Sequence, residues 1–265
     1  MSALLDTTIK LVKDFELENL NKEGQNFLID EKLLDKEIES AHLNKNDIVL
    51  DIGAGFGYIT ERLARICNVI AIEKDFRLYS YLVSTFELNK RVTLINHDVT
   101  DMILPNFTKI VSNPPYDIVD RILLKISRYD YSTGVMILPN TLAESLTEGK
   151  KETVLSFSLK QFMDFKEICT VSKDKFYPQP RVTSKMVFIE RKKTDIIQKV
   201  LERSESLVKN AILEADRDMN SKTKRNSKDY LLERINSIGD ISKKTIKQLN
   251  LNELNTLVEF LRENY

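Results

Sequence analysis

The chain has 265 residues, 42% of them hydrophobic and 30% charged, which is enough apolar material for one large domain or two small ones and excludes wholesale disorder and a collagen-like chain. Its 40 basic and 40 acidic side chains cancel, so global basicity does not drive nucleic-acid binding, and any such contact must come from local patches. Two cysteines, Cys67 and Cys169, exclude a disulfide framework, two histidines leave little for a metal site, and no apolar run approaches the ~20 residues needed to span a bilayer.

The first 30 or so residues read as a helical extension. They mix acids and bases without an h-region or a small-residue cleavage site, so the expected compartment is the reducing cytoplasm, with no membrane partner. Residues 31–41 follow as a helix. Asp47 to Ile52 is a short apolar run that ends in a glycine cluster, the pattern of a buried parallel strand. A helix from Tyr58 to Ile66 comes next, then a strand (Val69–Glu73), a helix (Phe76–Leu88) and two strands (Val92–Asn96, Lys109–Ser112). A helix (Ile118–Ile126), a strand (Gly134–Leu138), a helical stretch over 141–161 and strands at Phe165–Val171 and Lys185–Glu190 complete the alternation. Strands alternating with crossover helices predict an α/β fold with a doubly wound, Rossmann-like sheet. Beyond Arg191-Lys192-Lys193 no strand-like run remains. The predicted domains are therefore 1–193 and a small all-α C-terminal domain, 194–265, whose one basic stretch holds Arg217, Lys222, Lys224, Arg225 and Lys228.

Glycine and proline are scarce, seven and six, and they cluster where chemistry is expected. In an open parallel sheet ligands bind at the carboxyl ends of the strands. The first such end reads Asp51-Ile52-Gly53-Ala54-Gly55-Phe56-Gly57. Tyr58 stands where a dinucleotide fingerprint needs its third glycine, and there is no P-loop. The spacing suits S-adenosylmethionine, with Asp51 orienting its ammonium and backbone N–H groups of the loop receiving its carboxylate. Glu73, at the next strand end, suits the ribose hydroxyls, and Asp98, beyond the third, suits the adenine amine.

The fourth strand runs into Asn113-Pro114-Pro115-Tyr116. An exocyclic adenine amine is a poor nucleophile because its lone pair is delocalised into the ring. Acceptors for both N–H groups let the nitrogen pyramidalise. The side-chain oxygen of Asn113 and the carbonyl of Pro114 can supply them, with the prolines holding that carbonyl in place. Tyr116 offers a face for the base, worth about 1–3 kcal/mol in stacking. Glutamine-methylating enzymes face the same amide problem with the same motif.

Two further motifs lie outside this core, Gly24-Gln25-Asn26-Phe27-Leu28 and Phe176-Tyr177-Pro178-Gln179-Pro180-Arg181-Val182-Thr183-Ser184. Together with Asp51–Gly57 and Asn113–Tyr116, they make the chain resemble the KsgA-like ribosomal RNA adenine N6-dimethyltransferase family, cousins of the Erm resistance methyltransferases. The resemblance runs from about residue 22 to 192. It implies an S-adenosylmethionine-dependent enzyme without metal that methylates adenine N6 in small-subunit ribosomal RNA, within a precursor particle, with a role in ribosome assembly. It places Asn26, Leu28, Gly53 and Gly55 at the cofactor, Glu73 on the ribose, Asp98 on the adenine and Asn113 at the junction with the target. Phe176 would face Tyr116 across a flipped base, and Lys175, Arg181 and Lys185 become phosphate contacts.

The chain departs from the family pattern at Pro114, where Leu or Ile is usual, at Asn140–Glu144, where Gln-Lys-Glu is usual, and at acidic Glu23. An Erm-like large-subunit methyltransferase shares every one of these motifs. A DNA adenine methyltransferase is favoured by Pro114 and opposed by Gln25–Leu28 and Phe176–Ser184, and a non-catalytic RNA-binding assembly factor is the alternative outside the enzymes.

Overall fold

In a computed structural model that describes residues 3–17, 25–193, 195–219 and 228–264, the chain divides into two compact units. One comprises residues 1–150 and 163–191, the other 151–162 and 192–265. The elements in chain order are α1 (Ala3–Asp14), β1 (Phe27–Leu28), α2 (Glu31–Ser40), β2 (Ile48–Ile52), α3 (Tyr58–Ala64), β3 (Asn68–Glu73) and α4 (Phe76–Phe86). Then come β4 (Val92–Asn96), β5 (Lys109–Ser112), α5 (Val119–Ile126), β6 (Thr133–Pro139), α6 (Asn140–Thr147), α7 (Val154–Phe162), β7 (Met163–Val171), β8 (Phe176–Tyr177) and β9 (Ser184–Arg191). The tail holds α8 (Ile196–Leu201), α9 (Val208–Met219), α10 (Lys228–Asn236) and α11 (Leu251–Asn264).

The first unit is built on a sheet of order β4-β3-β2-β5-β6-β9-β7. β4 to β6 run parallel, and β9 and β7 add antiparallel strands at one edge. The central strands are mostly apolar because helices cover both faces: Val49, Leu50, Ile110, Val111 and Val135 to Leu138 are almost wholly buried. The strand order reverses between β2 and β5, so the crevice for a ligand opens at the carboxyl ends of those two strands. Helix starts are fixed locally. Asp30 accepts the Leu33 N–H to begin α2, and Asp75 accepts the Arg77 N–H to begin α4.

A two-stranded antiparallel ribbon pairs β1 with β8, Phe27 opposite Tyr177 and Leu28 opposite Phe176. It joins the two motifs that lie outside the sheet in sequence, at 25–28 and 176–184. Gly24 and Glu23 lie outside the described residues, as do Lys222, Lys224 and Arg225 of the basic stretch.

The helical stretch expected over 141–161 is two helices. Gly149 (φ 69°) and Lys151 (φ 50°) put left-handed backbone between α6 and α7. α7 belongs to the helical unit, where it packs with α8 and α11. That unit buries Leu159, Val200, Ile212, Leu257, Val258 and Leu261, and Lys192 N donates to Phe162 O at 2.9 Å within it. Residues 151–162 thus leave the sheet domain to which a boundary at 193 assigns them, because their apolar face completes the helical core. Among the described residues, no helix is long and apolar enough to cross a membrane.

Candidate active site

The glycine loop after β2 is the first component. Gly53, Gly55 and Gly57 have φ of 73°, 57° and 78°, where a side chain is strained. A Cβ on Gly53 would meet Pro115 Cδ at 3.0 Å, and one on Gly55 would meet the Phe27 ring at 3.0 Å. The loop therefore packs directly between the Asn113–Tyr116 motif and the β1 ribbon. Its N–H groups are taken by the protein itself. Gly53 N and Ala54 N both donate to Ile72 O at 2.8 and 3.1 Å, Gly57 N to Ala54 O at 2.8 Å, and Gly55 N to Glu73 Oε2 at 2.9 Å. The glycine spacing suggests N–H donors for a ligand carboxylate, but at these four residues they are already matched.

Two adjoining cavities open at the strand ends. The larger, of about 720 Å³, is lined by Gly53, Glu73 and Asp98 with aliphatic walls from Ile52, Ile72 and Ile118. The smaller, about 50 Å³, is lined by Asn26, Gly55, Asn113, Pro114, Tyr116 and Phe176, and shares Gly53 and Glu73 with the first. The structure thus gathers nine of the eleven sequence-predicted site residues around one crevice. The other two, Asp51 and Leu28, are buried and line neither cavity. Asp51 has Oδ2 accepting the Thr60 hydroxyl at 2.6 Å and Oδ1 unpartnered. Its burial pushes its pKa up to about 7, against the Thr60 hydrogen bond, with Glu73 adding to the rise. Leu28 is held in the β1–β8 ribbon and packs into the core.

Glu73 keeps its carboxyl at the cavity, with Oε1 accepting Asp75 N at 2.8 Å and Oε2 accepting Gly55 N. Burial raises its proton affinity despite those two donors. Asp98 is held the other way. Lys74 donates to Oδ2 at 2.7 Å, while Thr100 N and Oγ1 donate to Oδ1 at 2.9 and 2.7 Å, which keeps it ionised. The Lys74 side chain in this pair is largely exposed. Phe76, Arg77, His97, Asp117 and Arg121 also line the larger cavity without having been anticipated. The strand-end rule could have found His97, next to Asp98.

At the smaller cavity, both polar atoms of Asn113 are buried and without a hydrogen-bond partner. The Tyr116 hydroxyl lies 2.6 Å from Ser184 Oγ, and burial pushes its pKa up to about 12. Tyr116 and Phe176 stand edge to face, ring centroids 6.5 Å apart at 75°. A base stacked between two rings needs them near parallel, which this pair is not. One side chain that sequence reasoning missed is Glu37, wholly buried on α2 with both carboxylate oxygens unpartnered. It faces Asn113, and burial holds its proton affinity well above normal. Its place among Leu34, Ile38 and Ala41 on the apolar face was the available sign.

Of the expected phosphate contacts, Lys185 is buried, donating to Glu148 and Glu167 at 2.7 Å each. Lys175 is paired with Asp30 at 2.8 Å, and Arg181 is exposed. Among the described residues no group of three or more His, Cys, Asp or Glu could hold a metal.

The family model described as ribosomal RNA adenine dimethylase matches residues 17–263. A "Probable ribosomal RNA small subunit methyltransferase A" of Pyrococcus abyssi is 31% identical, with 97% of each chain covered. A ribosomal RNA small subunit methyltransferase A of Malacoplasma penetrans is 33% identical over 70% of this chain and 71% of its own. Among solved structures, a dimethyladenosine transferase from Plasmodium falciparum has a TM-score of 0.61 at 22% identity, covering 89% of this chain and 97% of that one. The 23S ribosomal RNA methyltransferase ErmE has a TM-score of 0.60 at 19% identity, covering 89% and 99%. At those identities the two structures speak for the fold, the Rossmann-like methyltransferase sheet with a helical C-terminal part.

Proposed function

The chain belongs to the ribosomal RNA adenine dimethylase family, and from that premise we propose that it dimethylates adenine N6 in small-subunit ribosomal RNA, using S-adenosylmethionine, within a precursor particle in the cytoplasm. The observation that carries this reading is the packing of the Asn113–Tyr116 turn against Gly53, beside a cavity whose carboxyl groups come from consecutive strand ends. The cavity's volume lies within the ~300–1,000 Å³ of small-molecule sites.

The nucleoside half of S-adenosylmethionine fits the residues present: Glu73 would take the ribose hydroxyls, Asp98 the adenine amine, and Ile52, Ile72 and Ile118 the ring faces. When bound, that cofactor supplies an electrophilic methyl group with a neutral thioether as leaving group. The protein's own part is to hold the acceptor. Asn113 Oδ1 and the Pro114 carbonyl receive the two N–H groups of the target amine, so its lone pair turns out of the ring plane toward the methyl. Asn113 Oδ1 is unclaimed by protein groups, as that role requires. Tyr116 packs on the base, with its hydroxyl tied back to Ser184. Extruding the base costs a few kcal/mol, which the aromatic contact offsets in part. The product cation loses its proton to water, and no side-chain base is needed.

Transfer of labelled methyl to undermethylated small subunits, undermethylated large subunits and duplex DNA, with nucleoside analysis, tests the reading. N6,N6-dimethyladenosine in small-subunit RNA alone is the expected result. Label in the large subunit or in DNA overturns the substrate. No label anywhere, with cofactor bound, replaces the enzyme by a non-catalytic assembly factor.

A further inference from the structure

Two side chains face each other behind the target position with their hydrogen bonds unmade. Glu37 is wholly buried, and nothing lies in bonding geometry to its Oε1 or Oε2. The same holds for Asn113 Oδ1 and Nδ2. The amide is nonetheless near enough to the carboxyl to favour its ionised form, against the burial that disfavours it. Buried polar groups are nearly always matched, and an orphaned carboxyl destabilises the fold that holds it. Nothing in the packing of α2, which lies over β6 and α3 through Leu34 and Ile38, calls for an acid at 37.

The chemistry of the amide supplies a reason. Asn113 can meet an exocyclic amine productively in one orientation only. With Oδ1 forward it accepts an N–H, whereas with Nδ2 forward it presents a donor to a donor. An acceptor behind Nδ2 selects the first orientation. Tyr116 does not fill that role, because it places its hydroxyl on Ser184. Glu37 offers a carbonyl-type oxygen whether or not it carries a proton.

We propose, on the footing of the methyl-transfer reading, that Glu37 is a positioning residue that accepts from Asn113 Nδ2 and so aims Oδ1 at the target nitrogen. It touches neither cofactor nor base and acts through Asn113. The bond closes when the amide turns to receive its substrate.

The test is steady-state transfer to small subunits by the full-length chain carrying Glu37→Gln or Glu37→Leu, alongside cofactor binding and Tm. Glu37→Leu removes the acceptor, and kcat is expected to fall about tenfold while the cofactor Kd and KM stay within about twofold. Its Tm is unchanged or higher, because an orphaned carboxyl has been replaced by an apolar group. Glu37→Gln keeps a carbonyl oxygen in place and retains kcat within about threefold. A purely structural role would not separate these two variants. Wild-type kcat in Glu37→Leu, an equal fall in both variants, or a loss confined to cofactor Kd overturns the proposal. If Glu37→Leu does not fold, Glu37→Asp, which withdraws the acceptor by one methylene, carries the same expected fall in kcat. The wild-type measurement separates the two levels of inference. An inactive wild type overturns the parent reading and this role with it, whereas an active wild type matched by Glu37→Leu overturns this role alone.

Discussion

Glu73 Oε2 accepts the N–H of Gly55 at 2.9 Å, while Oε1 of the same carboxyl accepts the N–H of Asp75 at 2.8 Å. One side chain at the end of β3 thereby ties the glycine loop after β2 to the turn that begins α4. It also lines both cavities. Glu73 accordingly sets the loop's position as well as any contact to a ribose.

Glu73→Ala removes both anchors. Cofactor affinity by calorimetry is expected to weaken at least ~tenfold, since hydrogen bonds to a charged group contribute about 1.5–3 kcal/mol each. An unchanged Kd would show that the loop holds its shape without Glu73.

Asp51 makes stability depend on pH. Its pKa is about 7 in the fold, where burial is the main cause, and near 3.8 when exposed. Between those values the folded chain holds a proton that the unfolded chain has released, so stability falls as pH rises from about 4 to about 7 and levels off above. Glu37 and Glu73, both raised by burial, act in the same direction. Asp51→Asn keeps an acceptor for Thr60. It is expected to raise Tm at about pH 8 and to flatten the decline across this window. A decline equal to that of the wild type would remove Asp51 as its source.

Gly57 shows how the loop is packed from behind. Its φ is 78°, and a Cβ there would lie 2.8 Å from Leu82 Cδ2 and 2.9 Å from Phe86 Cε2 on α4. Strained backbone and overpacking together put the loss for Gly57→Ala at about 2–4 kcal/mol, read as a lower Tm and denaturant midpoint. A variant as stable as wild type would mean that α4 yields freely.

Lys185 reads as a phosphate contact in sequence and as an internal ion pair in the fold. Glu148 and Glu167 flank its ammonium at 2.7 Å, and its side chain is 9% exposed. Lys185→Met is expected to lower Tm while leaving unchanged the slope of log RNA affinity against log salt. A slope reduced by about one would restore the phosphate contact.

These residues show how far a sequence carries. The sheet was legible because each central strand is a predominantly apolar run, and the strand-end rule then pointed to Gly53, Glu73, Asp98 and Asn113. What failed was pairing across the fold. Lys185 and Glu37 are charged, and charge reads as solvent exposure until the packing is known. The N–H groups of the glycine loop looked available because Ile72 O and Glu73, their acceptors, come from the next strand. β1 and β8 are two residues each, too short to carry a period, so only the fold joins the motifs at 25–28 and 176–184. The break between α6 and α7 lies at Gly149, a visible sign in the sequence, and at Lys151 with φ 50°, which its residue type does not announce.

Asn113 presents the target amine to the methyl donor, and Asn113→Ala, with N6,N6-dimethyladenosine in small-subunit RNA and cofactor Kd measured on the same preparations, shows whether it does. Loss of the dimethylated nucleoside, with Kd held within about threefold, is the predicted result. Dimethylation by Asn113→Ala at the wild-type rate would contradict it.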